Sequence, residues 1–193
     1  MPKVETFDKS TVIEQVTEVF HDKGFNATSM QDIVDATGLN RSSIYNSFEN
    51  KHNLYLECLK AYKTKYSELL SEELLISTNP LEAIERIFEF YYTEMSKTEK
   101  DKGCLLVNCT SEMANHDKAI TSFLCNNQNE MLNLLEDLVH KGQLNNLINL
   151  KKTPKAYALY LYSSIQGFRM TGILISDKAE LQMIIKTIIQ TLI

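Results

Sequence analysis

This chain has no excess of basic charge, few glycines and no long apolar run, and each shortage removes a class of function. The net charge over 193 residues is −5, the wrong sign for a protein that holds a polyanion by bulk attraction, so any nucleic-acid contact has to be a local face. The six glycines never cluster, which leaves no phosphate-cradling loop. No run of roughly 18 apolar residues occurs and no charged-then-apolar leader precedes the first helical pattern, so neither a membrane span nor export is expected and the cytoplasm is the expected location. The four cysteines, Cys58, Cys104, Cys109 and Cys125, have neither zinc-site nor disulfide-scaffold spacing and read as reduced thiols. His21, His52, His116 and His140 are scattered without metal-ligand spacing, so no metal and no cofactor is expected. Glu112, His116 and Asp117 are neighbours in sequence and read as the polar end of a helix rather than an acid–base set. No enzyme is expected.

What is present is helical. Apolar residues make up 44% of the chain, enough for a globular core, and their spacing is helical throughout, with no strand pattern and no repeat. The most informative stretch is Ala27 to Leu54, which reads as two short helices, a tight turn and the start of a long third helix. Thr28 is the expected N-cap, with Gln31 completing a capping box before Ile33 and Val34. Gly38 supplies the left-handed position that stops this helix, Leu39 points back inward, and Asn40 caps the next one. The pair makes a helix-turn-helix unit.

At about 100° per residue, Ile44 and Phe48 of the second short helix share an inward side. Ser42, Ser43, Tyr45 and Asn46 spread over the opposite side, with Arg41 on the flank. Two readings fit that face. One is a solvated helical hairpin. The other is a major-groove reader, because Arg pairs bidentately with guanine, Asn with adenine, and Ser with bases or phosphates. Charge favours the second only locally. Between Asn40 and Lys65, the basic residues Arg41, Lys51, Lys60, Lys63 and Lys65 face only Glu49 and Glu57.

This stretch resembles the DNA-binding domain of the TetR family of bacterial transcriptional regulators. The matching residues are Gly24-Phe25, Thr28-Ser29, Ile33-Val34, Thr37-Gly38-Leu39, Asn40, Ser43-Ile44-Tyr45, Phe48 and Lys51, with Leu54 beyond. Val34 stands where Ala is usual, Ser47 where His is frequent and His52 where an acid is common. The resemblance implies an all-α protein of about nine helices, with a three-helix DNA-binding domain over residues 1–49 and an effector-binding and dimerisation domain over 50–193. Helix 50–74 would connect the two. It also implies a homodimer through the last two helices, and a small-molecule effector that changes the spacing of the recognition helices. The DNA contacts it points to, together with the face analysis, are Thr28, Ser29, Asn40, Arg41, Ser42, Ser43, Tyr45, Asn46 and Lys51. Lys51 is expected to meet a phosphate at the start of the long helix.

The remaining pattern is a first helix from about Asp8 to Lys23 ended by Gly24, preceded by a short leader. Further helices run from Leu81 to about Met95, Cys104 to Ala114, Lys118 to Leu144, Thr153-Pro154 to about Ile175, and onward from the cap Asp177. A charged link spans 99–102 and a polar loop spans 145–152. The last two helices are apolar on more than one side, which for a short chain suggests a second copy as partner.

Gly103 to Asp117 mixes apolar Cys104, Leu105, Leu106 and Val107 with polar Asn108, Thr110, Ser111 and Glu112. That segment lines an effector cavity or is a half-exposed helix. From helix faces, the candidate ligand contacts are Tyr91, Met95, Cys104, Asn108, Glu112, Phe123, Gln166 and Met170. Cys104, at a helix start, is read either as a packing residue or as an electrophile or oxidant sensor. A helix-turn-helix used as a protein-interaction module is the remaining alternative.

Overall fold

Short polar side chains decide where the helices begin, and each does so by accepting a backbone N–H that the helix itself leaves unpaired. The structure of the protein is a computed structural model; it describes residues 7–97 and 102–193. The charged link expected at 99–102 lies, apart from Lys102, outside these residues, as does most of the expected leader. Among the described residues the order is α1 (Lys9–Ala27), α2 (Met30–Thr37), α3 (Arg41–Phe48), α4 (Lys51–Leu75), α5 (Pro80–Met95), α6 (Leu105–Met113), α7 (Lys118–Leu144), α8 (Pro154–Thr171) and α9 (Lys178–Gln190), with no strand.

Asp8, Ser29, Asn40, Asn50, Asn79, Asp117, Thr153 and Asp177 each take a backbone N–H in their side-chain oxygen at a helix start. Such a cap is worth about 1 kcal/mol. Pro80 and Pro154 occupy the first turns of α5 and α8, where a missing N–H does no harm. Cys104 precedes α6 without a side-chain cap. The expected cap Thr28 is a correction. The capping box belongs to Ser29 and Asp32, one residue later, because Thr28 is 1% exposed and its hydroxyl donates to the Gly24 carbonyl. Inside α1, Gly24 turns the chain at φ +76°, ψ 172°, so the regular part of the helix ends there as expected. At Gly38, φ is +68° and its N–H donates to the Val34 carbonyl, closing α2.

Two apolar clusters form. The first gathers Val12, Val16 and Phe20 of α1, Ile33, Ile44 and Phe48, and Leu54 to Tyr62 of α4. It continues through Cys104, Leu105, Cys109 and Met113 of α6 into Ile120 and Leu124 at the start of α7. The stripe on the first half of α4 faces both α1 and α6, so α6 completes the core of the N-terminal bundle. The second cluster joins the end of α4 to α5, the later half of α7, α8 and α9 through Ile87, Phe88, Leu135, Leu161, Phe168 and Ile185. Both α4 and α7 cross from one cluster to the other. A helix buried along its length moves as a unit, because close packing resists partial displacement.

The loop after α7 is polar but firmly held. The Asn149 side-chain amide donates to the carbonyls of Thr191 and Ile193, and the Tyr157 hydroxyl donates to the Asn149 side-chain Oδ1. This ties the end of α9 to the start of α8. The helix α8 stops at Thr171, a turn short of the expected Ile175. Its inner side buries Tyr157, Leu161, Ile165 and Phe168, while Leu159 (49% exposed), Tyr160, Ile173 and Leu174 face out. On α9, Met183 also faces out. The expectation of apolar residues on two sides of α8 is met.

Candidate DNA-reading face and effector cavity

The helix α3 is short, so its geometry depends on what holds its ends. Asn40 takes the Ser43 N–H at one end, and Ile44 and Phe48 anchor the inner side in the core. Arg41, Ser42, Tyr45 (43% exposed) and Asn46 are then exposed together, with Ser43 half-buried beside them. These are hydroxyls, an amide, a phenol and a guanidinium on one rigid surface, which suits base edges and phosphates alike. The Arg41 guanidinium donates to the side-chain Oε1 of Gln31 in α2 at 3.3 Å, and the Gln31 side-chain amide donates to Asp35. Gln31 was expected to cap α2. It orients Arg41 instead, and only the packing of α2 beside α3 reveals that.

Three of the expected contacts are placed differently. Thr28 is buried, and its side chain cannot reach a duplex. Ser29 is exposed, but its hydroxyl both accepts from the Asp32 N–H and donates to the Asp32 carboxylate. The Lys23 ammonium and the two Ser29 donors hold that carboxyl down to about 2. Lys51 is the larger correction. Its ammonium donates to the carbonyls of Phe25 (2.8 Å) and Thr28 (2.7 Å) and lies 4.3 Å from the centre of the Phe25 ring. It braces the junction between α1 and α2 rather than pointing to solvent.

The same junction is gripped from the other side. Glu112 of α6, an expected ligand contact, accepts from the N–H groups of Phe25 (2.9 Å) and Asn26 (2.7 Å). These amides are free because Gly24 breaks the helix just before them. A side chain at residue 24 would also come within 2.9 Å of the Glu112 carboxylate, so glycine serves both the turn and the close approach. Nearby, the His21 ring bonds to the Gly103 carbonyl at 3.0 Å, and burial lowers the pKa of that ring. Lys102 pairs with Asp22 and Glu18, and His52 of α4 lies 2.7 Å from Asp117 at the start of α7. Polar contacts thus attach the N-terminal bundle directly to α6 and its flanks. Pairs so distant in sequence gave no signal in the chain read linearly.

Against the opposite side of α6 lies a cavity of about 300 Å³ between α6, α7 and α8. Cys104, Val107, Thr110, Tyr162, Gln166 and Arg169 contribute to its wall. A smaller one of about 160 Å³, touched by Tyr62, Tyr66, Met95 and Gly103, shares Arg169 with it. Of the expected ligand contacts, Cys104 and Gln166 line the larger space and Met95 the smaller. Tyr91 is buried beneath Arg169, whose guanidinium carbon is 4.3 Å from its ring centre. The others do not line either cavity. The Asn108 amide donates to the Lys102 carbonyl. Phe123 packs against the N-terminal core, and Met170 is 45% exposed on the outer side of α8. Arg169, one turn from the end of α8, is the cavity residue that face counting missed.

The four thiols are free. Burial pushes Cys58 up to about 12 and Cys109 up to about 11, so both are packing groups. Cys104 is buried in the cavity wall. No helix among the described residues is long and apolar enough to cross a membrane.

Residues 12–58 match the model of the bacterial regulatory proteins of the tetR family, and residues 80–188 match that of the tetracyclin repressor-like C-terminal domain. The chain is 28% identical over 144 residues to the uncharacterized HTH-type transcriptional regulator YezE of Bacillus subtilis, covering 75% of this chain and 72% of the relative. It is 27% identical over 146 residues to the HTH-type transcriptional repressor ComR of Escherichia coli, covering 66% and 67%. A cysteine-substituted form of the TetR family regulator CifR, complexed with 26-base-pair double-strand operator DNA, superposes with a TM-score of 0.86 at 16% identity over the whole of both chains.

Proposed function

The chain belongs to the TetR family of bacterial regulatory proteins and is a DNA-binding transcriptional regulator; on that premise we propose that it is a homodimeric repressor, released from a palindromic operator by a small-molecule effector. It acts in the cytoplasm, where the bacterial chromosome lies. The observation that carries the reading is the exposed face of α3, where Arg41, Ser42, Tyr45 and Asn46 lie on one capped, core-anchored helix. A solvated hairpin has no need for such anchoring, nor for a guanidinium steered by Gln31.

Dimerisation is supported by the outward apolar residues Leu159 and Tyr160 of α8, Ile173 and Leu174 of the turn after it, and Met183 of α9. A two-fold axis there presents two copies of α3 to half-sites about 34–36 Å apart or a multiple of it. The repressor reading agrees with the name of the relative ComR.

For release, the effector has to favour the DNA-incompetent conformation. The cavity lies against one side of α6, and Glu112 on the same helix holds the Phe25 and Asn26 amides. A ligand that shifts α6 therefore pulls on the α1–α2 junction, while α4 carries the same displacement along its length. Sensing through Cys104 is a second reading, favoured by the position of that thiol in the cavity wall. It predicts loss of the response in Cys104→Ser, whereas a reversible ligand still acts on that variant.

The first test is selection of random duplexes by the purified protein, with sequencing of those retained. A two-fold symmetric motif supports the proposal. No enrichment at low salt overturns it and favours a protein-interaction module.

A further inference from the structure

We infer that the cavity between α6, α7 and α8 is an anion site in which Arg169 holds the carboxylate of a small organic acid. This rests on the reading of that cavity as the effector site. Among the described residues, the wall of the larger cavity contains one formally charged group, the Arg169 guanidinium, and no Asp or Glu. Guanidinium stays protonated at any ordinary pH. Arg169 is half-buried, so its charge is partly desolvated and gains from a partner, yet no carboxylate among the described residues pairs with it. Cys104, Tyr91, Tyr62 and Tyr66 act on it most strongly, and Glu18, Glu94 and Lys102 share the wall of the smaller cavity with it without pairing to it. The Tyr91 ring covers one face of the guanidinium at 4.3 Å. Stacking of that kind orients the planar fork and leaves its edge donors unused.

The rest of the wall states what the bound molecule looks like. Val107 and Leu124 are apolar, and Thr110, Gln128, Tyr162 and Gln166 offer neutral hydrogen-bonding groups. At about 300 Å³ the space is at the small end of the roughly 300–1,000 Å³ typical of ligand pockets. A single cation matches a monoanion. A phosphate ester carries more charge than one guanidinium balances, and a cationic ligand is repelled. The occupant is therefore a short carboxylic acid with an apolar body, its carboxylate taken bidentately by Arg169.

The test is calorimetric titration of the purified full chain with hexanoate, benzoate and phenylacetate, each compared with its primary amide and with the amine of the same skeleton. Wild type, Arg169→Gln and Arg169→Lys are measured at fixed ionic strength. At least one carboxylate is expected to bind wild type, with its amide and amine 10-fold weaker or more. Arg169→Gln is expected to weaken the carboxylate about 10- to 100-fold, as loss of charge-assisted bonds does, without changing the amide. Arg169→Lys should fall between. Equal binding of amide or amine, unchanged carboxylate binding in Arg169→Gln, or no carboxylate binding at all overturns the proposal. If Arg169→Gln does not fold, the carboxylate–amide–amine comparison on wild type decides alone. Operator release is read in parallel by fluorescence anisotropy. Carboxylate binding without release refutes the effector role and leaves the anion site standing. Failure of carboxylate binding beside a selected operator removes the anion site and leaves the regulator.

Discussion

Replacing Glu112 by Ala removes the one side chain that joins α6 to the α1–α2 junction through two bonds. The carboxylate accepts from Phe25 N–H at 2.9 Å and Asn26 N–H at 2.7 Å. Hydrogen bonds to a charged group contribute roughly 1.5–3 kcal/mol each when shielded. Glu112 is only half-buried and the Asn26 bond is exposed, so the pair is worth about 1.5–3 kcal/mol together once solvent screening is allowed for. For a chain of this size that corresponds to a fall in Tm of roughly 3–12 °C. Hydrogen exchange gives the sharper assay, because both amides lose their acceptor in Glu112→Ala while α3 keeps its own caps. The Phe25 and Asn26 amides should exchange about 10-fold faster or more, and protection within α3 should change less. Operator affinity should become less sensitive to whatever occupies the cavity, since the link from α6 is cut. Unchanged exchange at both amides, or an unchanged response to ligand, refutes the role given to this contact.

Lys51→Ala should lower stability by about 1–3 kcal/mol, because its ammonium satisfies two carbonyls; the slope of log affinity against log salt should change by much less than the ~0.9 expected for one lost phosphate contact. A full loss of that slope would return Lys51 to the DNA surface. Arg41→Ala should weaken operator binding by about 1–3 kcal/mol and relax sequence preference at one position, measured by competition among operator variants; an equal loss on every variant makes Arg41 a phosphate contact.

Two pH effects follow from the shifted groups. His21 is held neutral by burial, with a lowered pKa, so the folded state binds the proton less well than the unfolded chain and stability falls as pH drops below about 6.5. Asp32 and Glu82, both held to about 2 by donor side chains, stabilise the fold above about pH 4 and lose that contribution as pH falls toward 2; Asp32→Asn should flatten the acid limb of a denaturation curve. Leu159→Asp should shift sedimentation toward monomer while helical circular dichroism persists; an unchanged dimer moves the interface elsewhere.

The helix boundaries were legible in the sequence because they are local. Asn40 and Asp177 cap the helices they were expected to cap, and the apolar sides of α3, α4 and α9 follow from 3.6-residue spacing alone. The capping box slipped by one residue because Thr28 and Ser29 are both competent caps. Burial of Thr28 against Gly24, a tertiary fact, decided between them.

The sequence by itself also determined the exposed polar face of α3, since Arg41, Ser42, Tyr45 and Asn46 need only a short helix with Ile44 and Phe48 turned inward. Only the tertiary structure decided what Lys51, Glu112 and Arg169 do. Each carries a charge whose partner is remote in the chain or is not a charge. Lys51 ends on two carbonyls, Glu112 on backbone amides more than 80 residues away, and Arg169 on a tyrosine ring beside a cavity. Periodicity reports which side of a helix is apolar. It cannot report which helix lies opposite, and charges that leave water are governed by that neighbour.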